Sequence, residues 1–385
     1  MLCAKEDCCG CSACFASCPV NCISMQRDEE GFLVPVIDKL SCIGCNACVR
    51  ACPHTAKNFS GEEKNVKAYA AICREQKGAI RRQSSSGGLF WCFAQAVLKK
   101  GGIVAGVKMS ENGVCAYHSV VDNENDLAAL LGSKYVQSDK REIFRSVKEY
   151  LRRGRIVLFS GTPCEVAGLV NYIPMPLRKN LYTVDLICHG VPSPMIWERY
   201  LAEQNMAVQG VFFRDKTFGW KNFSLHLQAE EKDLYEKVGD NLYMRGFLEH
   251  LYLRESCYNC RYKGLDRVAD ITLGDFWRVQ DFLPEYDDDQ GTSLLFIYSE
   301  KGKELFHMVK EIYEVDSCEV DARLAAESNP MMLQSSKPHV NRKKFFKNIN
   351  KKTVSKTVND CTQKSIFYRF ARKMKRWLIK YLREN

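Results

Sequence analysis

One cysteine run occurs twice near the N-terminus, and it limits what this chain can fold into more than any other feature. Cys8-x2-Cys11-x2-Cys14-x3-Cys18-Pro19 returns 34 residues later as Cys42-x2-Cys45-x2-Cys48-x3-Cys52-Pro53. Gly10 and Ala13 return with it as Gly44 and Ala47. Thiolates at this spacing on a loop reach three corners of one iron–sulfur cubane, and the fourth cysteine of each run serves the other cluster. The pattern therefore assigns Cys8, Cys11, Cys14 and Cys52 to one 4Fe-4S cluster, and Cys42, Cys45, Cys48 and Cys18 to a second. Zinc sites take four ligands, usually as two separated pairs, and two evenly spaced runs with trailing prolines do not suit that. Cys3, Cys9 and Cys22 fall outside the frame and read as buried or free thiols.

The remaining composition fits a globular chain of two or three domains: 385 residues, 46% hydrophobic and 26% charged. No stretch approaches the ~20 apolar residues of a spanning helix, and no charged-then-apolar leader opens the sequence. Twenty cysteines without a secretory leader point to metal or redox chemistry, not to a disulfide scaffold. The net charge of +10 comes from the C-terminal tail, where residues 335–385 hold 16 Lys and Arg against Asp360 and Glu384. The preceding 334 residues carry 40 basic and 44 acidic side chains, so the charge balance is no argument for nucleic acid.

Along the chain, residues 1–60 form the ferredoxin-like domain, with a short strand over 32–37, and residues 61–80 read as a linker. Ser84-Ser85-Ser86-Gly87-Gly88 then precedes an apolar helical pattern over 89–98, closed by Gly101-Gly102. Strands are predicted over 103–109 and 114–121 around Asn112-Gly113, and helices over 126–131 and 143–151. Residues 156–160, a helix from Glu165, and residues 181–187 read as a parallel strand–helix–strand unit. A helix is predicted over 242–254, with strands over 271–273 and 293–298. The body closes near 325, and a basic tail occupies 335–385. The fold class is mixed α+β and α/β: a small bacterial-type ferredoxin domain, a larger mixed-sheet domain and a basic helical tail.

Four more cysteines stand where chemistry collects. Cys164 follows a predicted strand at a helix N-terminus, which favours a thiolate. Cys188 ends the next strand, so in a parallel sheet both lie at the carboxyl edge. Cys257 and Cys260 form a separate pair. These four are candidates for a third 4Fe-4S site, for zinc, or for unliganded buried cysteines. Ser84–Gly88 ahead of a helix suits a pyrophosphate, with Ser85, Ser86, Gly87 and Gly88 approaching the anion and Arg81 and Arg82 adding charge; it equally suits a plain serine N-cap. Lys134, taken from the residues alone, reads as a solvated lysine after a helix. His189 is a candidate proton donor or a support for Cys188. Asp270 and Asp275 read as structural or cofactor-orienting, 287–289 as a solvated turn, and Arg214-Asp215-Lys216 as an anionic-substrate contact or, more simply, an exposed loop. No residue is assigned a catalytic role.

Gln83–Gly88, Gly161-Thr162-Pro163-Cys164, Cys188-His189-Gly190-Val191-Pro192, Cys257-x2-Cys260 and Ala269-Asp270-Ile271-x2-Gly274-Asp275 occur in this order. Together with the ferredoxin run they resemble the coenzyme F420 hydrogenase/dehydrogenase beta-subunit family, over about residues 1–325. The resemblance implies a family domain whose N-terminal part is 81–155 and C-terminal part 156–325. It also implies a third cluster on Cys164, Cys188, Cys257 and Cys260, and FAD near Ser85–Gly88 and Lys134. The expected activity is that of an iron–sulfur flavoprotein oxidoreductase. Electrons would move between the clusters and FAD, then to or from an organic two-electron acceptor: coenzyme F420 or another small molecule, such as a polysaccharide-biosynthesis intermediate. The alternative is an electron-transfer adaptor subunit without its own substrate site. A redox partner protein or reduced ferredoxin is the expected partner, with no nucleic acid and a cytoplasmic location. Residues 365–383 place Ile366, Phe370, Met374, Trp377 and Tyr381 at helical spacing among lysines and arginines. This fits a basic helix lying on the inner face of a membrane, or one docked on the body or a partner.

Overall fold

The computed structural model describes residues 3–55, 65–140 and 142–363. At the N-terminus, the two cysteine runs flank an antiparallel ribbon, β1 (Ile23–Arg27) and β2 (Leu33–Ile37). Each run turns into a short helix, Ala13–Ser17 or Ala47–Ala51, and the two helices pack on each other. The repeat is visible in the backbone: Gly10 and Gly44 share a φ of +68°, and Ser12 and Asn46 follow at +65° and +56°. Left-handed residues in such loops turn successive N–H groups toward one side, a geometry that favours bound anions.

The body is built on a nine-stranded mixed sheet among the described residues, in the order β14-β3-β13-β12-β8-β7-β4-β5-β6. In chain order, its strands are β3 (Lys67–Cys73), β4 (Ile103–Met109), β5 (Ala116–Val121), β6 (Ser138–Asp139), β7 (Val157–Gly161), β8 (Leu181–Leu186), then β12 (Ile271–Asp275), β13 (Ser293–Ile297) and β14 (Val315–Val320). Strands β4, β7, β8 and β12 run parallel. The pairs β3–β13, β3–β14, β12–β13 and β4–β5 are antiparallel. One core holds helices Leu89–Lys99 and Glu300–Ile312. Another holds Ile143–Arg152 and Pro163–Tyr172, and it also takes in Cys11, Ala13, Ala16 and Ala51 of the ferredoxin module. The module is thus part of the body's packing.

Between β8 and β12 the chain inserts a three-stranded antiparallel sheet, β9 (Val208–Asp215), β10 (Ser224–Ala229) and β11 (Leu234–Lys237). Its inner face, Phe213, Leu225 and Leu227, packs against Trp197, Tyr200 and Tyr243.

Three expectations change. The stretch read as a linker contains β3, which lies between β13 and β14 with Ala68, Ala70 and Ala71 buried. Its alanines give little β signal. The helix predicted over 242–254 stops at Leu248, because His250 adopts a left-handed φ of +60° and Leu251 N–H returns to the Gly246 carbonyl. The chain then turns and bends to an isolated bridge between Leu253 and Pro192. The body also does not close near 325. Helices Arg342–Asn348 and Val354–Thr362 bury Phe345, Ile349, Val354, Val358 and Cys361 in the core around Trp197. The first half of the basic tail is therefore body, its charges lying on the outer face of docked helices. The amphipathic pattern over 365–383 lies outside the described residues.

Candidate functional site

The parallel strands aim their carboxyl ends at one edge, and the sequence candidates gather there. Strand β7 ends at Gly161. Thr162, Pro163 and Glu165 then start helix Pro163–Tyr172, with the Glu165 carboxylate accepting the Thr162 backbone N–H at 2.8 Å. This fixes Cys164 in the helix's first turn, 3.2 Å from the Thr162 hydroxyl. Cys188 follows β8. Cys257 lies in the turn Glu255–Asn259, and its sulfur accepts the Val191 N–H at 3.4 Å. Cys164, Cys188, Cys257 and Cys260 line one recess, which Cys9 joins from the ferredoxin module. Among the described residues, no three His, Cys, Asp or Glu side chains converge closely enough to share a single metal ion. A zinc ion needs its sulfurs all about 2.3 Å from one point, whereas a cubane takes each thiolate at a different iron. Four thiolates are a donor set that either a 4Fe-4S cluster or a zinc ion accepts.

In the ferredoxin module, Cys14 lies near Cys8, Cys52 and Cys48, and Cys11 lies near Cys14. Cys18 approaches Cys22 at 3.4 Å, and Cys22 neighbours Cys42. Cys3 sits beside Cys8 and Cys52. Cys42 and Cys45 are exposed, while Cys11 is buried toward the body. Arg254 donates to the Cys8 carbonyl, and Arg145 to the carbonyls of Phe15 and Ala16. The Arg342–Glu30 fork adds a third tie between module and body.

Next to the cysteine recess lies a cavity of about 590 Å³, within the range of cofactor sites. Residues 188–191 line both spaces, so one turn forms the wall between them. Ser84, Ser85, Ser86, Gly88 and Lys134 line the cavity as well. Gly87 does not: it is pressed on the sheet, where a Cβ would lie 2.4 Å from the Ala71 carbonyl oxygen. The serine hydroxyls are already committed, Ser84 to the Ile80 carbonyl, Ser85 to Ser133 and Ser86 to the Thr292 carbonyl. Backbone groups at the start of helix Leu89–Lys99 are what this loop offers an anion. Arg81 does not add free charge: Asp288 and the Gly291 carbonyl hold it. Residues 287–289 are accordingly a clasp and not a solvated turn, with Asp287 and Asp289 holding Lys221. The Lys134 ammonium is held by the carbonyls of Ala129, Leu131 and Gly132, and burial pulls its pKa down to about 7.

Two groups stand differently from the sequence reading, which preferred an exposed loop for one and missed the other. Arg214, read as exposed loop, is buried at the end of β9. Its Nη1 pairs with Asp275 at the end of β12, while Nε and Nη2 have no hydrogen-bond partner. Trp277 and Phe223 flank the guanidinium. Two residues on, Lys216 grips the carbonyls of Arg81, Ser86 and Gln290 and holds the serine loop. The alternation Phe213-Arg214-Asp215 was the available signal, because it places Arg214 and Phe213 on opposite faces of a strand.

The second group is a buried ion pair, Lys140–Glu165, joined by Ser138 and His118. Ser138 and Glu165 reach the cavity wall. Burial opposes the Glu165 charge, but Lys140 and His118 outweigh it and hold its pKa near about 2. Burial lowers His118 to about 4, so it is neutral at pH 7. His189 is likewise pulled down to about 4 by burial, His250 and Lys263, and its buried Nε2 has no hydrogen-bond partner. Asp270, by contrast, is structural: it ties Thr183 to Ser299.

Among the described residues, no helix is long and apolar enough to cross a membrane. The chain is 26% identical over 192 residues to the vacuolar protein sorting-associated protein 41 of Saccharomyces cerevisiae, a stretch that covers 47% of this chain but 18% of that protein. The chain thus spans about a fifth of the curated relative it matches. A chain of the F420-reducing NiFe hydrogenase complex of Methanosarcina barkeri superposes with a TM-score of 0.49 at 16% identity, covering 70% of this chain and 89% of that one. Residues 7–56 match the 4Fe-4S dicluster domain, and residues 154–322 match the C terminus of the coenzyme F420 hydrogenase/dehydrogenase beta subunit. The first match falls on the two cysteine runs, and the second on the later part of the body, from the strand before Cys164 to the strand Val315–Val320. Over residues 154–322 the chain is thus similar to the C-terminal domain of the coenzyme F420 hydrogenase/dehydrogenase beta-subunit family, and over residues 7–56 to the 4Fe-4S dicluster domain.

Proposed function

We propose that this chain is a flavin-dependent iron–sulfur reductase acting on a small organic two-electron acceptor. The observation that carries the reading is the shared wall: residues 188–191 separate the four-cysteine recess from the 590 Å³ cavity by a single turn. Cys164, Cys188, Cys257 and Cys260 would hold a third 4Fe-4S cluster there, beside the eight ferredoxin cysteines. FAD fits the cavity by volume, by the helix start at Gly88 and by the unpaired Arg214 nitrogens, which want an oxygen acceptor once buried. Bound there, flavin would supply the conversion between single electrons and an electron pair.

The chain's own residues have separable tasks. The ferredoxin module faces solvent at Cys42 and Cys45 and the body at Cys11, which gives electrons a way in and a way onward. A redox partner subunit or reduced ferredoxin would meet the exposed side. Lys216 and Arg81 fix the serine loop, and Arg214 orients what lies in the cavity. Met244, Phe247 and Leu248 give one stretch of the wall an apolar surface that excludes water. The division of labour follows the ferredoxin region, 1–60, and the family region from 81 onward.

The test is anaerobic purification followed by iron, sulfide, zinc and flavin analysis per chain. About twelve irons and about one FAD are expected. About eight irons without flavin would reduce the chain to an electron-carrying adaptor subunit, and zinc in place of the additional iron would exclude the third cluster.

A further inference from the structure

Cys9 belongs to neither cysteine run, so the repeat gives it no corner of a cluster. The fold nevertheless places it between the two cysteine sets. Helix Pro163–Tyr172 carries Cys164 in its first turn and Gly168 one turn later. Gly168 lies so close to Cys11 that a Cβ there would stand 2.8 Å from the Cys11 sulfur. One helix therefore braces a ferredoxin cysteine and a recess cysteine side by side. The Cys9 thiol neighbours both the Cys11 and the Cys164 thiols, and it lines the recess with Cys164, Cys188, Cys257 and Cys260.

We infer that Cys9 is the electronic contact between the ferredoxin cluster held by Cys11 and the cluster held by the recess cysteines. The inference rests on the reading that both sets hold clusters. The recess has four cysteines without Cys9, and the ferredoxin run has its own four, so a ninth or thirteenth ligand is not needed. What the gap needs is filling. A void there would forfeit packing contacts between the two sites, whereas a polarizable sulfur bridges them at van der Waals distance. Its S–H is also a weak donor toward a ligand sulfur. With clusters held by Cys8, Cys11, Cys14 and Cys52 and by the recess cysteines, one electron at a time would leave the first, reduced, and enter the second, oxidised. Cys9 itself is neither oxidised nor deprotonated.

The experiment uses the full chain with its clusters in place, as the parent and as Cys9→Ala and Cys9→Ser. Iron per chain is measured first. Freeze-quench electron paramagnetic resonance then follows each cluster signal after mixing with dithionite. The expected result is unchanged iron, unchanged reduction of the solvent-facing ferredoxin cluster, and a several-fold slower rise of the recess signal, with the serine variant between alanine and parent. A recess signal that rises at the parent rate in both variants overturns the inference. So does a loss of about four irons, which would make Cys9 a ligand. If the parent itself holds only about eight irons, it is the third-cluster reading that has failed, and this inference falls with it.

Discussion

Replacing Lys140 by methionine should expose the cost of the buried pair beneath the cavity. Lys140 and Glu165 have side chains only 2% and 6% exposed. Lys140 also donates to the Ser138 carbonyl at 2.8 Å, and Glu165 accepts from the Thr162 N–H and, at 3.4 Å, from the Ser138 hydroxyl. Without the ammonium, the Glu165 carboxylate stays buried with neutral partners. Breaking a buried pair in this way costs about 3–5 kcal/mol. Replacing both members, Lys140→Met with Glu165→Gln, leaves no buried charge, so the double variant should be more stable than Lys140→Met alone. The pH dependence fixes the sign. With Lys140 present, the folded Glu165 pKa lies near about 2, below its ordinary value of 4.5. Its contribution is therefore present above pH 4.5 and is lost as pH falls toward 2. The gap between parent and Lys140→Met should narrow over that window. Anaerobic urea unfolding, read by tryptophan fluorescence at pH 7 and at about pH 3, measures these quantities. A single-variant cost below about 1 kcal/mol, the level of an exposed pair, would refute the reasoning. Strict additivity of the two substitutions would refute it as well.

Three further outcomes follow from the same geometry. Cys257→Ser combined with Cys260→Ser should lower iron by about four per chain while the ferredoxin signals persist; iron analysis with electron paramagnetic resonance checks this. Arg214→Met should weaken flavin retention at least about tenfold, equivalent to about 1.4 kcal/mol. Arg214→Lys should restore little, because an ammonium does not reproduce the fork that meets Asp275 and a second acceptor together; equilibrium dialysis of the released flavin measures both. His118 is buried neutral with its pKa lowered from 6.5 to about 4. Stability should therefore fall as pH drops from 6.5 toward 4, and His118→Gln should flatten that part of the profile, as unfolding midpoints across pH would show.

Much of the candidate site was legible because it rests on local spacing. The ferredoxin runs, Cys164 after a strand, the Cys257–Cys260 pair and the serine loop are short motifs whose geometry depends on neighbours in sequence. Apart from the helix that stops at Leu248, the failures are long-range. Strand β3 reads as a polar linker because its alanines gain their strand identity only from β13 and β14 on either side. Arg214 reads as an exposed loop because Asp275, which neutralises it, is 61 residues away. The stretch from 335 reads as a basic tail beyond the body because the aromatic core that takes up Phe345 and Val358 is assembled from distant helices.

The sequence alone determined the kind of chemistry. Twice-repeated cysteines at cluster spacing can do little else, since the ligand count and the loop geometry lie within a dozen residues of each other. The tertiary structure decided where that chemistry leads. It set Gly168 against Cys11, brought Cys9 to the recess, and made residues 188–191 a common wall with the cavity. These are contacts between segments some 66 to more than 200 residues apart. They depend on sheet order and on the packing of one helix across two sites, and no local pattern in the chain encodes them.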